Sequence, residues 1–254
     1  MNTITTNSAD WNVELLRFTV FPIPDTQIGE PNWWNDIVGE RSETRVIQAR
    51  KSHFQDKGPY EEGELVLKIE PLRIDWFYRT IQNPEGQDIR NTLGLFQEAI
   101  KTFTSLMSKW FALKDFPSPQ RIAFGSIIFQ PVGSHKAGYE KLAEYLKSVK
   151  LDPERSSDFL YQINQPRDSK TDIENLKINR LMKWSVQTIR LIGFVFDEEH
   201  RNIYNGQKKF SCRLELDINT VPDPKRHFSA KECQTVFDEL VQLAVEISQK
   251  GDIK

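Results

Sequence analysis

The sequence predicts an α+β fold: a largely antiparallel sheet, in one piece or two, covered by two long amphipathic helices. Three observations carry that expectation. In residues 87–113, Ile89, Leu93, Phe96, Ile100, Phe103, Met107 and Trp110 alternate spacings of four and three, which puts them on one stripe of a helix. Residues 229–251 open on the capping box Ser229-Ala230-Lys231-Glu232 and run through Cys233, Val236, Phe237, Leu240, Leu243, Ala244 and Ile247. They stop at Gly251, so both ends of this helix are written in the chain. The remaining apolar runs are hairpin-like, and each stripe needs an apolar sheet face to cover.

The elements follow in order. Residues 13–21 (VELLRFTVF) read as a strand ended by Pro22 and Pro24, and Pro31 to Gly39 as a short helical turn. A strand is expected over 44–51, and the polar stretch 55–63 reads as a turn. Residues 64–76 read as one strand in which Leu65, Leu67 and Ile69 lie on one face. Leu72, Ile74 and Trp76 continue the series one residue out of phase, so a bulge or bend is expected at Pro71. After the long helix, the segment 114–119 is the best candidate boundary. Residues 121–131 (RIAFGSIIFQP) are apolar on both faces, as in a strand at the middle of a sheet. A glycine-flanked loop leads to a helix over 139–149, a short strand over 159–164 and a charged linker over 167–177. A long hairpin then turns through a wet tip at 197–208, with Met182, Trp184, Val186 and Thr188 inward on its first strand and Phe210, Cys212, Leu214, Leu216 and Ile218 on its second. The division expected is a flexible start over 1–12 and two α+β halves, 13–116 and 117–254, integrated into one unit. The order of elements in the halves suggests a duplicated β-α-β-β-α unit.

The order and spacing of the 63–78 strands, of RIAFGSIIFQPV, and of the closing CRLELDINTVPD strand with Leu214, Leu216, Asp217 and Ile218 resemble an uncharacterised, sporadically distributed bacterial protein family of about this length. The resemblance spans nearly the whole chain. It implies an intracellular bacterial protein of accessory character, with a role in phage defence. It brings no catalytic residue and no ligand with it.

Composition narrows the chemistry. The chain's 254 residues are 38% hydrophobic and 28% charged, enough to bury a sizeable core. The 34 Lys and Arg against 36 Asp and Glu leave a net charge of −2, so binding to nucleic acid or an anionic membrane would have to be local. The start, MNTITTNSADWN, lacks a signal-peptide pattern, and no apolar run nears the roughly 18 residues of a membrane span. A cytoplasmic location is expected, and no membrane partner.

No catalytic signature stands out, and no cofactor or metal site is expected. His53, His135, His200 and His227 are scattered, while Cys212 and Cys233 fall on apolar faces as core residues. The loop Gly133 to Gly138 lies between a strand and a helix, making Ser134 and Lys136 the anion-binding candidates, although it departs from the P-loop pattern. Outward residues of the last hairpin, Lys183, Ser185, Gln187, Lys209, Ser211, Arg213, Glu215 and Asp217, form a polar face. Lys183, Lys209 and Arg213 are its partner-binding candidates. Trp33 and Trp34 join them, because two adjacent indoles on one short turn are not expected to point inward together; one then packs against another segment, the first expectation, or stays exposed for a partner. The function expected is an interaction or regulatory protein engaging a protein partner or a second copy, with nucleic acid less supported. The alternative is an enzyme acting on a phosphate-containing or nucleic-acid substrate.

Overall fold

A single antiparallel sheet organises the chain. In the computed structural model, which describes residues 11–24, 26, 28–48, 53–81, 92–196 and 201–252, the chain order is β1 (Asn12–Pro22), α1 (Trp33–Val38), β2 (Thr44–Gln48), β3 (His53–Tyr60), β4 (Gly63–Glu70), β5 (Arg73–Arg79) and α2 (Phe96–Phe111). There follow β6 (Pro119–Val132), α3 (His135–Tyr145), β7 (Leu160–Asn164), β8 (Arg167–Asp168), β9 (Lys177–Phe196), β10 (Arg201–Thr220) and α4 (Ala230–Lys250). The ten strands form one sheet in the order β2-β3-β4-β5-β1-β6-β10-β9-β7, with β8 also on β9. Every pairing is antiparallel.

This corrects the expected fold class. The molecule is mostly one large sheet, with four helices among the described residues, and strands account for far more of the chain than helices do. It is not a layer of two long helices over a sheet, and the units between helices are not β-α-β-β-α. Four strands, not two, separate α1 from α2 and α3 from α4. Two misreadings of the sequence explain the difference. The expected turn at 55–63 is mostly β3, which carries the charged Asp56 inward and so lacks the apolar alternation of a strand. Asp56 is fully buried there because Arg45 Nε and Nη2 each donate to it at 2.8 Å and Ser42 Oγ at 2.7 Å. The expected single strand 64–76 is a hairpin. Pro71 and Leu72 form its two-residue tip, with Glu70 opposite Arg73, so the phase slip marks a reversal of the chain and not a bulge.

The first long helix is shorter than its periodicity suggests. Leu93 is buried but outside the helix, its N–H donating to Val13 O at 2.9 Å, and Gly94 turns the chain at φ +88°, a conformation that favours glycine, so α2 begins at Phe96. Residues 87–91 and the wet tip 197–200 lie outside the described residues, as do residues 1–10 of the expected flexible start. Trp11, just after them, is buried and donates from Nε1 to Ser248 O at 2.8 Å. Residues 201–208 belong to β10 and not to a turn. The helix expected over 139–149 spans Arg-free residues His135–Tyr145 instead, capped by Ser134.

All four helices lie against the same face of the sheet. Trp34 of α1 stacks on Trp76 of β5, Trp110 of α2 meets Phe18 of β1, Tyr145 of α3 stacks on Trp184 of β9, and Phe237 of α4 meets Phe124 of β6. Burial of these rings supplies the main driving force, at roughly 1.5–3 kcal/mol for each large apolar side chain. Side chains cap two of the helices at their N-termini: Ser134 caps α3, and the Ser229–Glu232 capping box of α4 forms as expected.

Candidate functional site

The opposite face of the sheet has no helix on it among the described residues, and its central strands carry charges where the other face carries rings. The strand alternation decides this. On β1, Val13, Leu16, Phe18 and Val20 turn inward, and a register shift between Val13 and Leu15 lets Leu15 join Arg17 and Thr19 on the open face. Leu15 lies opposite Ile127 of β6, and Glu215 of β10 lies opposite Ile127 on its other side. One row therefore runs Glu64, Arg79, Leu15, Ile127, Glu215, Lys183 across six neighbouring strands.

Two cavities meet on that row. One, of about 380 Å³, is lined by Glu14, Lys57, Glu64, Arg79, Thr80 and Ile81. The other, of about 300 Å³, lies over Gly125 and is walled by Arg17, Gln162, Leu181, Lys183, Glu215 and Asp217. Both are also lined by Leu15 and Ile127, so they form one trough with an apolar saddle in the middle. Gly125 opens the second cavity. A Cβ at this position would sit 3.3 Å from the Arg17 guanidinium, and without one Arg17 on β1 reaches across β6 to Asp217 on β10.

Ion pairs stitch the trough together. Arg213 donates to Glu14 at 2.6 Å and to Glu215 at 3.0 Å, Lys183 donates to Glu215 at 3.2 Å, and Arg17 donates to Asp217 at 3.3 Å. At the other end Glu64 receives Arg79 at 2.8 Å and Lys57 at 2.6 Å. Burial pushes the Glu215 carboxyl up, but the hydrogen bonds from Arg213 and Lys183 outweigh it and hold the group below its ordinary value. The same balance, with Lys57 and Arg79 as donors, lowers Glu64. Both carboxylates are therefore held ionised, suited to electrostatic recognition and poorly suited to passing a proton at neutral pH.

A third cavity, of about 430 Å³, lies between the 167–172 segment and α4. Its central carboxylate, Glu239, accepts from Arg167 Nη2, Ser169 Oγ and the Lys170 N–H, so it is spent on pinning the expected charged linker to α4. Among the described residues no group of three His, Cys, Asp or Glu side chains is placed to hold a metal ion, and no helix is long and apolar enough to cross a membrane.

The sequence candidates are dispersed. Ser134 caps α3, its Oγ accepting from the Ala137 N–H at 3.1 Å, and the Lys136 ammonium is paired with Glu154. Lys183 and Arg213 do sit together at the trough, but Arg213 is 9% exposed and held between two carboxylates. Lys209 is exposed on β10, well up the strand from Glu215. Trp33 and Trp34 are both buried, against the expectation that they cannot both turn inward. Trp33 meets Trp110 and donates to Asp115 Oδ2 at 2.8 Å, while Trp34 stacks on Trp76: α1 is wedged between α2 and the sheet and offers an apolar neighbour on each side. Burial pushes the Cys212 thiol up to about 12 and the Cys233 thiol further, which suits core residues. Sequence reasoning missed Arg17, Glu14, Glu64, Arg79 and Gly125. Two signals were present: a lone arginine inside VELLRFTVF, and a glycine inside an otherwise bulky central strand.

Comparison with protein-family models, with curated proteins and with solved structures finds no match to this chain.

Proposed function

We propose that the protein is a binding module whose open sheet face docks a protein partner along the trough centred on Leu15 and Ile127. The observation that supports this most directly is the shared lining of the two cavities: an apolar saddle between clusters of paired charges, which suits an amphipathic polypeptide better than a reacting small molecule. The carboxylates there are stabilised as anions by neighbouring cations, so the site recognises charge without the split pKa values that acid–base catalysis uses. The accessory or phage-defence role implied by the family resemblance belongs to this reading and rests on that resemblance alone. The phosphate-enzyme alternative loses support from the engagement of Ser134 and Lys136 within the protein.

A photo-crosslinking residue placed at Ile81, on the trough rim, tests the reading in the native host, with Gln97 on the exposed side of α2 as the control site. A discrete adduct at Ile81 that is absent at Gln97, and that disappears with Arg79→Glu and Lys183→Glu, is expected. Equal labelling at both sites, or none at Ile81, overturns the proposal.

A further inference from the structure

We infer that the cavity over Gly125 receives the C-terminal carboxylate of the partner polypeptide together with an aliphatic last side chain. This rests on the docking reading above and specifies what is docked. Arg17 is the anion-binding group. Its guanidinium has five N–H donors but spends one of them on protein, the 3.3 Å bond from Nη2 to Asp217; Nε is unpartnered and buried over Gly125, while a quarter of the side chain remains exposed. Asp217 is in turn held by Asn219 Nδ2 at 2.9 Å, so it stays in place while Arg17 takes a second carboxylate. Lys183, in the same cavity, is paired with Glu215, so the cavity's own charges balance and the arriving carboxylate makes its contact with Arg17.

The apolar walls supply the rest. Leu15, Ile127 and Leu181 line the cavity beside Arg17, and about 300 Å³ accommodates an aliphatic residue with its carboxylate. The preceding residues have somewhere to go, because the cavity continues over the Leu15–Ile127 saddle into the second one, where Arg79 and Lys57 flank Glu64. A chain terminus anchored over Gly125 and running along the trough uses both cavities. A free short-chain acid would use only the first.

The full chain, labelled with nitrogen-15, is titrated with the peptide Gly-Ser-Gly-Ser-Leu, with the same peptide as its C-terminal amide, and with isovalerate. Saturable shifts of the Gly125 and Ile127 amide signals by the free-acid peptide are expected, with at least about tenfold weaker binding of the amide, the loss of one charge-assisted contact. Arg17→Gln should reduce binding by a similar factor, and Gly125→Ala should weaken it by pushing on the guanidinium. Arg17→Lys, which keeps the charge but loses the fork, guards against a folding defect: native-like spectra with weakened binding support the inference, and unchanged binding counts against it. Binding of the amide as tight as that of the acid overturns it. So does isovalerate binding as tightly as the peptide, which would mark a small-acid site. If the free-acid peptide fails while the Ile81 adduct persists, the end-group chemistry falls and the docking reading stands; if both fail, both fall.

Discussion

The two faces of the sheet are built from the same strands and stabilised by opposite means. On the covered face Phe18 of β1 lies 4.5 Å, ring centre to ring centre, from Phe237 of α4, and 5.5 Å from Phe111 of α2. Its neighbour Arg17, one residue earlier, reaches a carboxylate two strands away on the other face. Ring packing excludes water and rewards every matched contour, so the covered face resembles an organic solid. Ion pairs on the open face must offset the desolvation of both partners, so they contribute little net stability while fixing where charges stand. The covered face is therefore the main source of stability, and the open face holds a fixed pattern of charge.

That contrast is broken most sharply at Phe237, which is 1% exposed and touches Phe18, Phe111 and Phe124. Phe237→Ala should destabilise the fold by about 3–5 kcal/mol, read as a fall in the urea midpoint. A midpoint within error of the parent would mean that the helix layer is not the main core.

On the open face the comparable change is smaller. Arg213→Ala leaves Glu14 and Glu215 without their shared donor and should cost about 1–3 kcal/mol, the penalty for half-buried acceptors losing a charged partner. Removing Glu14 in the same chain should recover part of that loss. Additive effects of the two changes would show that the pair is not coupled.

The smallest effect is a pH dependence. Glu215 titrates below its ordinary value in the folded chain, so its contribution is complete at neutral pH and is lost as pH falls through the folded value. The urea midpoint of Glu215→Gln should therefore lie below the parent's at neutral pH and approach it in acid. A gap that widens in acid would reverse the sign and dismiss Arg213 and Lys183 as the cause.

Legibility in the sequence followed the same division. The covered face was readable because burial imposes a period: Phe96, Phe103 and Trp110, and Cys233 to Ile247, reveal their stripes without any partner being known. The candidate site was largely not. Lys183 and Arg213 could be placed on an outward row from the alternation of β9 and β10, yet their neutralisation by Glu215 and Glu14 involves strands far apart in the chain. Arg17 and Asp217 lie 200 positions apart, and their meeting depends on which strand lies between them and on that strand carrying glycine there.

By itself, then, the sequence determined which residues are apolar, which of them share a face, and where the last helix begins and ends, since propensity, periodicity and capping act over a few residues. It also placed 121–131 at the middle of a sheet, where β6 stands between β1 and β10. Tertiary structure decided the rest. Strand pairing joined ten strands into one sheet, turned the slip at Pro71 into a hairpin, recruited β3 through the buried Asp56–Arg45 pair, and drew both indoles of α1 into the core. Local sequence cannot specify these outcomes, because each depends on the free energy of a contact between segments whose proximity exists only once the sheet has closed around β1 and β6.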